Sequence, residues 1–349
     1  MSTVGTVRVW YAEDGWGVID SADTPGGCWT HYSALEMPGL RSLGNRQQVE
    51  LEWEAPGQDG FGFRALRARP LGEPPRLRTL TGINRYPVKS CRGHALDEAV
   101  VEPWGLAGDR RWMLVDDEGV AVTARRHPRM VLITPHLQPD GLLVEAAEVE
   151  PLAVDVPADG PTIEVRVFAS TAPGVPAAEG AHAWFSGVIG TSVRLVHLAD
   201  PTQRHTDPLY GLDSDVVSFA DGYPLLLATQ ESLAALDALC PEPLTIRRFR
   251  PNLVVAGFPA WDEDRWRRVR IGDATFRVVK SCARCVLTTV DPETGEKGPE
   301  PLRTLAGHRR WDGKTWFGVN LVPDTPGAVL RVSAPVEVLE SAEPEEPLR

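Results

Sequence analysis

Short runs of alternating hydrophobic and polar residues recur along this chain, and that period of two predicts β-strands. Near the amino end, Val4–Val9 and Val49–Trp53 show the pattern, with turn residues at 12–15, 25–27 and 57–60. Comparable runs lie farther along the chain at 77–84, 193–198, 225–227, 276–280, 286–290 and 329–338. Together with 32 glycines and 31 prolines, these runs predict a strand-rich chain with many turns.

Helical periodicity is confined to short segments. The bulky residues of 181–189 fall on one side of a helix, which predicts a short amphipathic helix there. A second helix is predicted after Thr229, a good N-cap residue, because Leu233 and Leu236 continue a helical stripe. The stretch 171–180 is predicted to be a loop. The expected fold class is therefore β-rich α+β with few helices.

Composition limits the classes of protein to consider. With 349 residues, of which 42% are hydrophobic, the chain can form two or three domains with real cores. No apolar run approaches the roughly 20 residues that span a bilayer, and Met1–Trp10 has no apolar signal-peptide region. An odd number of cysteines, five, indicates a reducing compartment, and the net charge of −12 opposes general binding to polyanions. We predict a cytoplasmic protein that does not bind membranes.

Stretches rich in proline, glycine or charge indicate where the parts of the chain begin and end. Residues 1–70 are predicted to form a separate small unit, since the proline- and glycine-containing stretch 71–76 reads as a linker. The last residues, 341–349, are predicted to be a solvated acidic tail.

The amino-terminal unit resembles a known nucleic-acid-binding module. Its segments Gly5–Tyr11, Gly15–Ile19 and Trp29–Leu35 are similar to the motifs of a cold-shock domain. The resemblance implies a small five-stranded OB-type barrel whose aromatic side chains stack on single-stranded nucleic acid. The side chains that it implies for stacking are Trp10, Trp16, Trp29 and His31.

The charge of this unit differs from that of the cold-shock family. Asp14 and Val18 stand where that family normally has lysine and phenylalanine. Residues 1–76 contain seven arginines and ten acidic residues, a net charge of about −3, whereas nucleic-acid affinity depends largely on neutralising phosphates. Two roles therefore remain open for the barrel: weak binding of nucleic acid, and service as an interaction or regulatory cap.

A pair of cysteines carries the strongest chemical signal. Cys282 and Cys285 lie between two runs predicted to be extended, with Lys280 and Arg284 beside them. Neighbouring cations favour the thiolate, the form of cysteine that attacks or binds a metal. From spacing alone, a structural zinc site, a dithiol redox pair and two ordinary core cysteines all remain possible.

The sequence around the pair, Lys280–Pro292, resembles the signature of MOSC-domain molybdenum proteins, in the branch of the mitochondrial amidoxime reducing component and its bacterial relatives. The resemblance covers about residues 77–340. It implies a MOSC N-terminal β-barrel domain over 77–190 and a MOSC β-barrel domain over 191–340. It also implies that Cys285 is the protein ligand to molybdenum and the catalytic residue, and it leaves the role of Cys282 open.

Further matches to this family supply candidates for binding the pterin cofactor. Lysine, serine and arginine at strand ends and turns suit an anion site, and the start of the helix after Thr229 offers free backbone N–H groups. The residues that the resemblance implies for the cofactor are Lys89, Ser90, Arg110, Thr229, Gln230, Arg250, Asn252, Arg284 and Asn320. Arg204 and His205, on a polar loop, are expected to be solvated.

The function implied is that of a molybdenum-cofactor-dependent oxidoreductase, with a single molybdopterin, that reduces N-hydroxylated compounds such as amidoximes and hydroxylamino bases. Electrons would come from a separate flavoprotein, haem protein or ferredoxin, because no C-x4-C-x2-C spacing for an Fe–S cluster follows Cys285. One alternative is a molybdenum cofactor or sulfur carrier or transfer protein. Another is a nucleic-acid-binding regulator that acts through the amino-terminal barrel.

Overall fold

A computed structural model describes residues 2–12, 14–37, 42–71, 77–157 and 160–342. Most of the predicted linker and most of the predicted acidic tail lie outside these residues. The chain forms two compact units, one of Met1–Leu77 with Gly257–Pro259 and the other of Arg78–Ala256 with Ala260–Arg349. The described residues contain 24 strands and three α-helices, which confirms the predicted strand-rich class.

The first unit is a closed barrel of five strands in the order β1-β2-β3-β5-β4. Its interior is apolar because alternate residues of each strand face inward; Val7, Ile19 and Leu51 are almost fully buried. The strands are β1 (Ser2–Tyr11), β2 (Trp16–Ser21), β3 (Cys28–His31), β4 (Gln48–Glu54) and β5 (Phe63–Pro70).

In the second unit, the largest sheet has the order β24-β19-β20-β22-β17-β18-β6-β7, with β21 paired to β22. Smaller sheets have the orders β10-β16-β15-β14, β11-β12-β13 and β23-β8-β9. The strands that form the first half of this unit are β6 (Thr79–Arg85), β7 (His94–Leu96), β8 (Glu98–Glu102), β9 (Gly105–Leu106), β10 (Trp112–Val115), β11 (Thr134–Gln138), β12 (Gly141–Ala146), β13 (Val149–Asp155), β14 (Ile163–Val167), β15 (Ser170–Pro176) and β16 (Arg194–His197).

The strands of the second half are β17 (Leu225–Thr229), β18 (Leu253–Ala256), β19 (Trp266–Ile271), β20 (Ala274–Ala283), β21 (Arg310–Trp311), β22 (Lys314–Pro323), β23 (Val329–Arg331) and β24 (Val336–Ser341). The helices are α1 (Glu179–Ile189), α2 (Gln230–Asp237) and α3 (Leu302–His308). Most strand pairs are antiparallel, whereas β17 and β18 run parallel, as a crossover through α2 requires.

Helix α1 covers the residues for which the hydrophobic periodicity predicted a helix. Phe185 is fully buried on its inner face, and the helix ends at Gly190, whose φ of 78° suits a left-handed C-cap. The loop predicted over 171–180 is wrong for most of its length, because β15 occupies Ser170–Pro176. Burial of Ala172 and Val175 against neighbouring strands outweighs the local turn preference of its prolines and glycine.

Candidate functional site

The cysteine pair lies where β20 leaves the large sheet. Cys282 is near the end of β20, which pairs with β22, and Cys285 is the N-cap residue of a 3-10 turn over Val286–Thr289. Both thiols are free and partly exposed. The strand predicted over 286–290 is wrong, because Thr288 Oγ1 donates to the Cys285 carbonyl at 3.0 Å and thereby stabilises the turn.

Each thiol receives a hydrogen bond from an arginine. Arg125 Nε donates to Cys285 Sγ at 3.2 Å, and Arg284 Nη1 donates to Cys282 Sγ at 2.8 Å. Each guanidinium thus places a hydrogen-bond donor and a positive charge against its sulfur. Among the residues that the structure describes, no three His, Cys, Asp or Glu side chains come together as a metal site. The geometry therefore presents two separate thiols, each beside its own cation.

A carboxylate joins two of the nearby cations. Asp221 accepts from Arg125 Nη2 at 2.6 Å and pairs with Lys89 Nζ, which also donates to the Phe219 carbonyl at 2.7 Å. Burial lowers the pKa of Lys89 to about 8, although Asp221 acts in the opposite direction. Partial burial alone would raise the pKa of Asp221, but Lys89 and Arg125 outweigh it and hold that pKa well below the ordinary value. All three groups are thus charged near neutral pH.

A second cluster of cations surrounds Tyr86. The guanidinium carbons of Arg110 and Arg250 lie 4.5 and 4.2 Å from the centre of its ring. Arg110 also donates to Asn252 Oδ1 at 3.0 Å and pairs with the buried Asp109. Asn252 is itself buried, so this network fixes the position of Arg110 from several sides.

The backbone at this site is unusual. Ser90, Arg110 and Arg250 have φ values of 69°, 49° and 56°, in the left-handed region that L-residues other than asparagine and aspartate seldom adopt. Such conformations persist only where the surrounding structure stabilises them, and they concentrate at functional sites.

These groups line one cleft, with about 750 Å³ of empty space including its opening to solvent. Of the residues predicted for the cofactor and the metal, eight are brought together there: Lys89, Ser90, Arg110, Arg250, Asn252, Arg284, Cys285 and Asn320. The lining also includes Arg125 and Asp221, which were not among the predicted site residues. Arg125 lies in a segment that matches the family, but no motif marks it. Asp221 is a turn aspartate followed by glycine, a pattern that gives no specific signal for a binding site.

Thr229 and Gln230 do not line the cleft. Thr229 caps α2, accepting from Ser232 N at 3.0 Å, and its buried hydroxyl lies 3.2 Å from Glu263 Oε2. Gln230 donates instead to Thr81 Oγ1 at 3.0 Å. The cleft contacts β17 at Leu225 and Leu226, its first two residues, and three residues of extended chain separate Leu226 from Thr229 by about 10 Å. The anion site predicted at this helix is thus at the wrong end of the strand.

Arg204 is not solvated, contrary to expectation, whereas His205 is exposed. The Arg204 side chain is buried and donates to the Ala220 carbonyl at 2.7 Å and to the Asp221 carbonyl at 3.2 Å. Burial lowers its pKa to about 10. Arg204 thereby shapes the loop that presents Asp221 to the cleft.

The donor set fits an anionic cofactor with a metal. Five cations line the cleft, against the single carboxylate of Asp221. Two of them retain buried nitrogens without a hydrogen-bond partner among the described residues, Nη2 of Arg250 and Nε of Arg284. Buried donors of this kind normally have a partner, so a phosphate- and pterin-bearing ligand would satisfy them.

The barrel of the first unit carries a surface of aromatic rings. Trp16 pairs across the strands with His31, whose ring stacks on Trp29 at 5.8 Å. Two exposed tyrosines, which were not predicted to stack, extend this surface. The ring centre of Tyr11 lies 4.7 Å from that of Trp16, and the ring centre of Tyr32 lies 4.2 Å from that of His31. We call these five rings the aromatic face.

Trp10 is not part of the aromatic face. Its side chain is only 9% exposed and belongs to the barrel core. Gly17 makes this packing possible, since a Cβ there would lie 2.4 Å from the Trp10 ring. The stacking role predicted for Trp10 is therefore wrong: along β1 the side chains alternate between the two faces, and Tyr11 takes the outward one.

Comparison with known proteins agrees with the fold. Residues 77–192 match the MOSC N-terminal beta barrel domain, and residues 214–338 match the MOSC domain. The mitochondrial amidoxime-reducing component 1 of Mus musculus is 34% identical, over 88% of this chain and 96% of its own. The mitochondrial amidoxime reducing component 2 of Rattus norvegicus is 35% identical, over 72% of this chain and 78% of its own.

A solved structure, the YUAD protein from Bacillus subtilis, aligns with 74% of this chain and 93% of its own at 9% identity and a TM-score of 0.34. The two family matches, over a strand-rich fold, define a MOSC-domain protein. The chain belongs to the MOSC family that includes the mitochondrial amidoxime-reducing components.

The cytoplasmic location predicted from the sequence is contradicted by these relatives, which are named as mitochondrial. Cysteine usage distinguishes a reducing from an oxidising compartment, but it does not distinguish one reducing compartment from another. Within the described part of the chain, no helix has both the length and the apolar character needed to cross a membrane.

Proposed function

We propose that this protein is a molybdenum-cofactor-dependent reductase of N-hydroxylated compounds, amidoximes among them. The observation that carries the proposal is the position of Cys285: a free thiol bonded to Arg125 at the edge of a cleft lined by five cations. The names of the relatives support the same activity, since they are amidoxime-reducing components.

Different residues would bind different parts of the cofactor. Cys285 would supply the soft thiolate ligand that suits molybdenum. Lys89, Ser90 and Arg110 would bind the phosphate and pterin with charge-assisted hydrogen bonds, and Arg250 and Arg284 still have free donors for them. Asn320, whose amide donates to the Lys280 carbonyl at 3.3 Å, lines the same cleft.

When bound, the cofactor supplies two-electron redox chemistry, by which R–NHOH with two electrons and two protons becomes R–NH2 and water. The part of this chain is to fix the ligand sulfur and to provide cations near the reacting oxygen. Arg125 does both, since its guanidinium contacts Cys285 and faces the cleft. The electrons would come from a separate flavoprotein, haem protein or ferredoxin.

The test is metal and pterin analysis of the purified full chain, followed by reduction of benzamidoxime with a chemically reduced dye as electron donor. We expect about one molybdenum and one molybdopterin per chain and formation of benzamidine. Loaded protein that reduces neither benzamidoxime nor a hydroxylamino base would reject the reductase and favour a carrier of cofactor or sulfur.

The aromatic face supports a second function, weak binding of single-stranded nucleic acid by the barrel. Stacking contributes roughly 1–3 kcal/mol per base, and several rings on one face could contact successive bases. Electrostatic attraction would add little, because four of the arginines in the described part of the barrel are paired with carboxylates, among them Arg8 with Asp20 and Arg64 with Glu54.

A further inference from the structure

A second cleft, with about 1030 Å³ of empty space including its opening, lies beside the first. The two clefts share Lys89 and Arg125. Because Arg125 donates to Cys285 Sγ, the second cleft reaches to within one side chain of the proposed metal ligand. A compound bound there would lie against Arg125, the side chain that contacts Cys285.

The second cleft is not needed for the residues that we assign to the cofactor. Seven of the residues assigned to the cofactor line a cleft, and all seven line the first cleft. Of these seven, only Lys89 also lines the second cleft. The walls of the second cleft come instead from segments 116–127, 166–168 and 191–192. It is therefore available to another ligand.

Its lining carries an excess of positive charge, although the chain as a whole has a net charge of −12. The cations are Lys89, Arg125, Arg126 and Arg166, and the carboxylate in the lining is Asp116. Asp221 neutralises part of the positive charge of Lys89 and Arg125. With both carboxylates counted, two more cations than carboxylates remain, and such a cleft concentrates anions.

The two outer cations are the ones available to a ligand. Arg126 and Arg166 are exposed, and neither forms an ion pair with a carboxylate among the described residues. Asp116 accepts instead from the backbone N–H groups of Glu118 and Val120, at 3.0 and 2.8 Å. Arg126 and Arg166 could thus bind a carboxylate or phosphate without first breaking a salt bridge.

Phe168 gives the cleft a flat apolar surface. Its ring is 61% exposed, and the guanidinium carbon of Arg125 lies 4.7 Å from the ring centre. Phe168 is the first residue of the two-residue turn between β14 and β15, where its φ of 54° fits a tight hairpin, and this turn holds the ring at the surface. An exposed ring held in this way suits stacking against a planar ligand.

We propose that the second cleft is the substrate site, and that it selects planar N-hydroxylated compounds bearing a carboxylate or phosphate. This inference rests on the proposed reductase function. The planar part of the substrate stacks on Phe168, the N-hydroxyl group lies toward Arg125 and Cys285, and the anionic group binds Arg126 and Arg166.

The test compares benzamidoxime with 4-carboxybenzamidoxime, which have the same reacting group and differ by one carboxylate. The full-length, molybdenum-loaded protein is assayed with a chemically reduced dye. We expect KM to be about fivefold lower for the carboxylated compound, as a partly exposed ion pair allows. The preference should decrease when the ionic strength is raised.

Variants assign the preference to particular residues. Arg166→Gln and Arg126→Gln should raise KM about two- to fivefold for 4-carboxybenzamidoxime only. Phe168→Ala should raise KM for both compounds by a similar factor, about three- to tenfold. The control is Arg129→Gln, an exposed arginine close in sequence that does not line the cleft, and both KM values should stay unchanged.

Three results would overturn the inference. Equal KM values for the two compounds in the unmodified protein would remove the selectivity, while reduction of both would leave the reductase function standing. Loss of molybdenum from Arg166→Gln would assign the second cleft to the cofactor. Failure of loaded protein to reduce either compound would reject the reductase function and this inference together.

Discussion

Nε of Arg125 lies 3.2 Å from Sγ of Cys285, although 160 residues separate the two in the chain. Arg125 belongs to the segment that matches the MOSC N-terminal beta barrel domain, and Cys285 belongs to the segment that matches the MOSC domain. The proposed metal ligand is thus supplied by one domain of the family and held by a cation from the other. Neither segment could form the site without its partner.

The two cysteines should differ in their response to substitution. Cys285→Ser should abolish reductase activity, because an alkoxide is a much harder ligand than a thiolate. Cys282→Ser should have a smaller effect, since this sulfur contacts Arg284 rather than Arg125. Activity and molybdenum content of both variants check the assignment. Equal loss in the two would show that the cysteines act together as a dithiol.

Lys89→Ala and Arg110→Ala should lose cofactor rather than turnover alone. Each removes a charge-assisted hydrogen bond worth about 1.5–3 kcal/mol, so retention of the cofactor should weaken by at least about tenfold. The readout is molybdenum per chain after gel filtration. Gln230→Ala serves as the control, because its amide bonds to Thr81 outside the cleft. Full occupancy in the Lys89 and Arg110 variants would exclude both residues from the site.

A buried carboxyl group outside the first cleft should make stability depend on pH. Burial, and then the neighbouring Asp264, raise the pKa of Glu263 to about 8 from its ordinary value of 4.5. A raised pKa means that the folded protein binds the proton more tightly than the unfolded chain. The contribution of this group to stability is therefore full below pH 4.5 and is lost as the pH rises toward 8.

Glu263→Gln should remove that pH dependence, because glutamine stays neutral and can still bond to Ser232, whose hydroxyl lies 2.8 Å from Glu263 Oε2. Melting temperatures between pH 5 and pH 8.5 give the measurement. We expect Tm of the unmodified protein to fall relative to the variant by a few degrees or more, about 2–4 °C per kcal/mol. Parallel curves for the two proteins would contradict the assignment.

The aromatic face predicts how the full chain responds to single-stranded oligonucleotides. Trp16→Ala and Trp29→Ala should each weaken binding about fivefold or more, since stacking contributes roughly 1–3 kcal/mol per base. Trp10→Phe, a change in the barrel core, should leave affinity unchanged. Titration followed by tryptophan fluorescence at two salt concentrations should show only a shallow salt dependence. Absence of quenching at high micromolar oligonucleotide would rule out nucleic-acid binding.

Much of the candidate site could be predicted from the sequence, because its residues occur in short local motifs. The thiols with their flanking cations, and Lys89 with Ser90, occur in short contiguous motifs. Side chains that act through position alone gave no such signal. Arg125 and Asp221 are ordinary residues in sequence, and only the loop geometry fixed by Arg204 brings Asp221 between two cations. The same holds for Phe168, which the turn between β14 and β15 places beside Arg125.

By itself, the sequence determined the strand-rich class, the amino-terminal barrel, the family and eight of the residues that line the first cleft, because alternation and short motifs act over a few residues. The tertiary structure decided which ends of the strands meet. It placed Thr229 and Gln230 away from the cleft, turned Trp10 into the barrel core and buried Arg204. The physical reason is that burial and pairing across long stretches of chain outweigh local preferences, and they follow from the packing of the whole molecule.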